Sequence, residues 1–129
     1  MSKLNREQLI DLATNRYFAN VDAKNMDEVL ACFHPDVQFT IQTDHLTHPG
    51  IEGVEKMFEG LFSTYETVWH GDFEMAADEV TQTVCARFNV YLKDPAGNET
   101  RLSNCNFWYV RDGKFERVFV FMSGDNVLK

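Results

Sequence analysis

The stretch that most constrains this chain is residues 16–41, RYFANVDAKNMDEVLACFHPDVQFTI. A helix carrying Tyr17 runs into the polar segment Asn20–Asn25. Asn25, with Glu28 three residues on, has capping-box spacing and opens a second short helix with the face Met26, Val29, Leu30, Phe33. Pro35 lacks the N–H that a helix would need to continue, and Val37, Phe39 and Ile41 then alternate as a strand. Two short amphipathic helices running straight into a strand must fold back onto the sheet that strand joins.

The remainder supplies the sheet. Asn5 and Gln8 form another capping-box pair, followed by Leu9, Leu12, Ala13 and Tyr17 at helical spacing. Residues 42–53 (QTDHLTHPGIEG) read as a turn-rich loop, and beyond Gly53 a third helix carries Val54, Met57, Phe58, Leu61, Phe62 and Tyr65 on one face. Strands are expected at 68–76, 79–93, 99–111 and 114–123, with turns at Asp94–Asn98 and Asp112–Gly113. The order α-α-β-α-β-β-β-β predicts one α+β domain over 1–129, with three helices on one side of an antiparallel sheet. A two-residue turn at Asp112–Gly113 pairs Arg111 with Lys114. Continued without a bulge, it pairs Phe107 with Val118 and Cys105 with Val120 on one face, and Trp108 with Arg117 and Asn106 with Phe119 on the other. Neither face is cleanly polar, so both are expected to be covered, one by the helices and one by a second copy of the chain.

Composition narrows the classes of partner. Eleven Phe among 129 residues bring large apolar area without a polar handle, which suits a pocket lining or a subunit contact. The formal net charge of −8 argues against nucleic acid or an anionic membrane as partner. No apolar run approaches the roughly 20 residues of a membrane span, and MSKLNREQLIDL lacks the apolar core of a signal peptide, so a cytoplasmic location is expected. Cys32, Cys85 and Cys105 are scattered at no metal-like spacing and read as reduced thiols. There is no phosphate loop or dinucleotide fingerprint, so no cofactor is expected. Asp44, His45 and His48 lack a fourth ligand and read as loop polarity rather than a metal site.

The segments RYFANVDAKNMDEVLACFHPD, GIEGVEKMFEGL and RDGKFERVFVFMSGDNV together resemble the nuclear-transport-factor-2-like superfamily, near its ketosteroid isomerases and SnoaL-like polyketide cyclases. The resemblance covers about residues 5–127. It implies a cone-shaped roll, a curved sheet packed on three helices around an apolar pocket, and cofactor-free acid–base chemistry. Residue by residue, the isomerase Tyr falls on Tyr17, its Asp base on Asp44 or on Ile41 depending on where three extra residues are placed, and its second oxyanion donor on Cys105, a weak donor. Resemblance to dehydratases of the same superfamily places an Asp–His pair on Asp22 and His70, with Trp69 competing for the His position. A carboxylate that orients an imidazole makes a general base near neutral pH. A one-residue slip would turn His70 to the opposite face of its strand.

Each assignment has a structural alternative. Tyr17 also suits a core position, Asp22 a turn accepting backbone N–H bonds, and Cys105 buried packing. The pocket lining is expected from Phe58 and Phe62 of the third helix and from Cys105, Phe107, Val120 and Met122 of the last strands. A sheet face of Trp108, Phe115, Phe119 and Phe121 is expected to form a homodimer. The reading is thus a small apolar, carbonyl-bearing molecule bound in a pocket by an isomerase, cyclase or dehydratase. A non-catalytic binding protein and an interaction module using the sheet face stay open beside it.

Overall fold

A computed structural model describes residues 3–129. The first helix is one continuous rod in three parts: α1 (Arg6–Asp11), a π-helical stretch Leu12–Phe18, and α2 (Ala19–Asp22). Asn5 and Gln8 close the expected capping box at its start. The wider i→i+5 turn explains how the neighbours Tyr17 and Phe18 are both buried together with Ala13 and Val21. After a tight turn, α3 (Met26–Leu30) begins at the predicted place, although the Asn25 side chain makes no cap bond.

Strand β1 (Phe33–Ile41) begins before Pro35, earlier than the sequence pattern suggests. It runs parallel to the last strand, and the pairing shifts between Phe33 and Gln38, the stretch in which Pro35 has no N–H to donate. Residues 42–53 are more ordered than a loop. They contain a 3-10 turn (Gln42–Asp44), a short edge strand β2 (Leu46–Pro49) and the first residues of α4 (Gly50–Thr64). The remaining strands are β3 (Thr67–Asp78), β4 (Thr83–Lys93), β5 (Glu99–Arg111) and β6 (Lys114–Phe121).

These six strands form a single sheet in the order β2-β1-β6-β5-β4-β3, one strand more than the sequence suggests. Helices α2 and α4 close one face, and an aromatic core of Tyr17, Phe33, Phe39, Phe58, Trp108 and Phe115 fills the space between. Phe burial of this kind is worth about 1.5–3 kcal/mol per side chain.

The β5–β6 hairpin corrects the predicted register. Asp112 and Gly113 turn the chain with φ of 50° and 77°, and Arg111 does face Lys114. Val110 then pairs with Phe115 but Tyr109 with Arg117, so Glu116 is an extra residue in β6. Arg111 Nε donates to Glu116 Oε2 at 2.6 Å across this bulge. From there on the partners are Trp108 with Val118, Phe107 with Phe119, Asn106 with Val120 and Cys105 with Phe121. Asn106 and Trp108 therefore face the helices, whereas Cys105, Phe107, Phe119 and Phe121 face away. Trp108 and Phe115 are fully buried core residues and not part of the open face assigned to them from sequence. No helix among the described residues is long and apolar enough to cross a membrane.

Candidate functional site

The helix rod ends at Asp22, where the turn Ala23–Asn25 releases its side chain toward β3. There Asp22 grips one residue at two points. Oδ1 lies 2.6 Å from His70 Nδ1, and Oδ2 accepts the His70 backbone N–H at 3.0 Å. The backbone bond fixes the strand while the side-chain bond fixes the ring. In the neutral ring, donation of Nδ1–H to the carboxylate leaves the proton off Nε2, which has no protein partner among the described residues. Phe18 stacks on the imidazole with centroids 4.5 Å apart and an interplanar angle of 26°, and Phe88 flanks it at 5.8 Å. The His70 side chain is 11% exposed and that of Asp22 is 24% exposed.

His70 lines an interior cavity between helices and sheet. Tyr17, Phe18 and Val21 close it from the first helix, Phe58 and Leu61 from α4, and Phe88, Asn104, Asn106 and Val120 from the sheet. Met122, Val127 and Leu128 complete the wall. The free space is only about 30 Å³, room for roughly two waters.

The polar groups of this cavity are few. Tyr17 is 2% exposed, its ring held edge-on by Phe33, Phe58, Trp108 and Phe115. Its hydroxyl makes no hydrogen bond among the described residues. Burial raises its pKa well above the usual phenol value, and the nearby Cys32 thiol and the Asp22 carboxylate add to the shift. It is therefore a neutral O–H donor at any ordinary pH. Asn104 Oδ1 accepts the Ser123 N–H at 3.3 Å, which leaves its NH₂ group to meet a ligand. Asn106, 3% exposed, has a buried Oδ1 without a partner. A buried amide left unpaired is expensive unless a ligand or water completes it. The cavity thus combines one oriented imidazole with two donors, the Tyr17 hydroxyl and the Asn104 NH₂, and one unpaired acceptor, Asn106 Oδ1.

The structure brings together Tyr17, His70, Phe58, Val120 and Met122 around one space, with Asp22 bonded to His70 beside it. Trp69 is on the other face of β3, 42% exposed, its indole folded so closely over Gly71 that a Cβ there would sit 2.2 Å from it. Four residues expected at the site stand elsewhere. Asp44 is exposed in the 3-10 turn, and its alternative Ile41 is a buried core residue paired with Val120. Phe62 packs against Phe58 at 5.7 Å as a second layer behind the wall. Cys105 and Phe107 lie on the outer face because the Glu116 bulge shifts the register by one. Cys105 meets Cys85 there, with the sulfurs 4.0 Å apart. Asn104 and Asn106 take the inward positions instead, so strand alternation about Cys105 was the available signal.

The profile of the SnoaL-like domain matches residues 14–118, which include Tyr17, Asp22, His70, Asn104 and Asn106. The chain belongs to the SnoaL-like domain family. Its fold is NTF2-like. AusH from Aspergillus nidulans superposes with a TM-score of 0.80 at 15% identity, over 95% of this chain and 88% of that one. A candidate polyketide cyclase from Xanthomonas campestris pv. campestris gives 0.80 at 20% identity, over 92% of each chain. An NTF2-like protein of unknown function from Exiguobacterium sp. 255-15 gives 0.74 at 19% identity, over 86% of this chain and 98% of that one. At these identities the likeness is one of fold. Comparison with curated proteins gives no match.

Proposed function

We propose that this SnoaL-like protein catalyses cofactor-free proton transfer next to a carbonyl in a small apolar molecule, as an isomerase, cyclase or dehydratase. The supporting observation is the Asp22–His70 pair, at 2.6 Å, with His70 in the cavity wall. Nε2 takes the proton from carbon, and the imidazolium so formed is stabilised by the Asp22 carboxylate. Negative charge moves to the carbonyl oxygen, where the Tyr17 hydroxyl and the Asn104 NH₂ are the available donors. Returning the proton to another carbon isomerises the ligand, attack of the enolate on a second carbonyl closes a ring, and loss of a β-hydroxyl dehydrates it. The outer face, with Phe107 and Phe121 36% and 44% exposed, suits a second copy of the chain.

The test is exchange of α-protons of 2-tetralone with deuterated water, followed by proton NMR. The wild-type protein is expected to accelerate exchange, and His70→Asn to lose roughly 10²–10⁴ of that acceleration. Equal rates for both proteins would leave a pocket that binds without catalysing.

A further inference from the structure

We infer that the segment Gly124–Lys129 is a plug that occupies the ligand's place and must be displaced for a ligand to enter, with His48 as its latch. The inference concerns access to the cavity described above and rests on that cavity being the binding site. A space of about 30 Å³ takes water but no carbon ring. Some wall must therefore move. Of the described residues lining the cavity, all stand in helices or strands except Met122, Val127 and Leu128. Moving a strand or α4 would break many backbone bonds and open the core. Moving this segment breaks few.

Its attachments are countable. At its root the Met122 N–H donates to Thr43 Oγ1 at 2.7 Å, while Ser123 Oγ accepts the Ser103 N–H at 2.8 Å and the Ser123 N–H donates to Asn104 Oδ1 at 3.3 Å, so Met122 and Ser123 are anchored and the hinge lies just beyond them. At its far end His48 Nε2, on the edge strand β2, meets the Leu128 carbonyl oxygen at 2.7 Å, where the ring nitrogen must be the donor. The Leu128 N–H is satisfied within the segment, by Asn126 Oδ1 at 2.8 Å. Against these stands an uncompensated group: Asn126 is 6% exposed and its Nδ2 has no partner. Withdrawing the segment would rehydrate that amide, so the closed state carries its own release term. Withdrawal would also remove the Val127 and Leu128 side chains from the cavity, freeing apolar space beside His70. Among the described residues the part beyond Ser123 is hydrogen-bonded to the rest of the protein only through the His48 latch, and segments so lightly held belong to the low-stability end of a fold, where opening is frequent.

A plug differs from a lid in sign. A lid closes over its ligand and becomes more protected; a plug is expelled by the ligand and becomes less so. The experiment uses the full chain and 2-naphthol, an apolar bicycle with one hydroxyl, read by its fluorescence and by hydrogen exchange. 2-Naphthol should speed exchange at the Val127 and Leu128 amides while slowing it in β5. His48→Ala should raise the affinity for 2-naphthol about five-fold, because the latch bond no longer holds the closed state, and His48→Gln, which can still donate, should restore the wild-type value. Protection of Val127 and Leu128 on binding, an unchanged or weaker affinity in His48→Ala, or no binding to either protein would overturn the plug. Both readouts are independent of proton transfer, so a protein that binds by expelling the segment yet exchanges no α-protons would refute the proposed catalysis and leave the plug standing.

Discussion

Replacing Asp22 by Asn separates orientation from packing at the site, because the two side chains have the same shape. In the native pair one carboxylate oxygen holds the His70 ring and the other holds the His70 backbone N–H, at 2.6 and 3.0 Å. An amide has one acceptor. If it keeps the backbone N–H, it presents NH₂ to Nδ1, which can accept only when the ring proton sits on Nε2. The nitrogen that should take a proton then already carries one. The expected loss is the whole general-base contribution, roughly 10²–10⁴ in rate. The stability change should be far smaller. A hydrogen bond to a charged group is worth about 1.5–3 kcal/mol when shielded, and with Asp22 24% exposed the lower end applies. That corresponds to a fall in Tm of a few degrees. The assay pairs deuterium exchange into 2-tetralone with a thermal melt of the same sample. An Asp22→Asn protein that exchanges within about three-fold of wild type, at whatever Tm, refutes the tautomer argument.

Two further outcomes follow from the thiols and the outer face. Burial pushes the Cys32 thiol up to about 11. Above pH 9 the unfolded chain therefore releases this proton while the folded chain retains it. Stability should fall as pH rises from about 9 to 11, by roughly 1–3 kcal/mol, and urea midpoints in Cys32→Ala should lose that component of the slope. On the outer face, Phe121→Glu should convert a dimer to a monomer in light scattering at micromolar concentration, without changing the Tyr17–Asp22–His70 geometry on the opposite face. A wild-type protein that is already monomeric at that concentration removes the dimer.

Much of the fold was legible because its signals are local. Period-3.6 spacing gave the helices bearing Tyr17 and Phe58, and Asp112–Gly113 fixed the last turn. What escaped is what depends on distant partners. The edge strand β2 has only four residues, rich in polar groups, and exists because Gln38–Ile41 offers it a ladder. The π-helical stretch has no sequence signature of its own; the demand to bury Tyr17 and Phe18 side by side against the sheet produces it.

The candidate site divides along the same line. The Asp22–His70 contact was expected from the resemblance to dehydratases, and it forms because the helix end at Asp22 and the early part of β3 have places in the fold that are set locally. The inward residues of β5 were misplaced because they lie in the middle of a strand, where a side chain's face is decided by registry alone. One inserted residue, Glu116, turns Cys105 and Phe107 outward and brings Asn106 opposite Val120. In KFERVFVF the bulge shows as a three-residue step from Phe115 to Val118, both fully buried, against the two-residue step from Val118 to Val120. An uninterrupted strand cannot bury both Phe115 and Val118 on one face, so this spacing requires a bulge at Arg117 or Glu116. The bulge thus converts an apolar wall with one weak thiol donor into a wall with two amides. On the present reading, that conversion is what lets the cavity receive an oxyanion opposite its base.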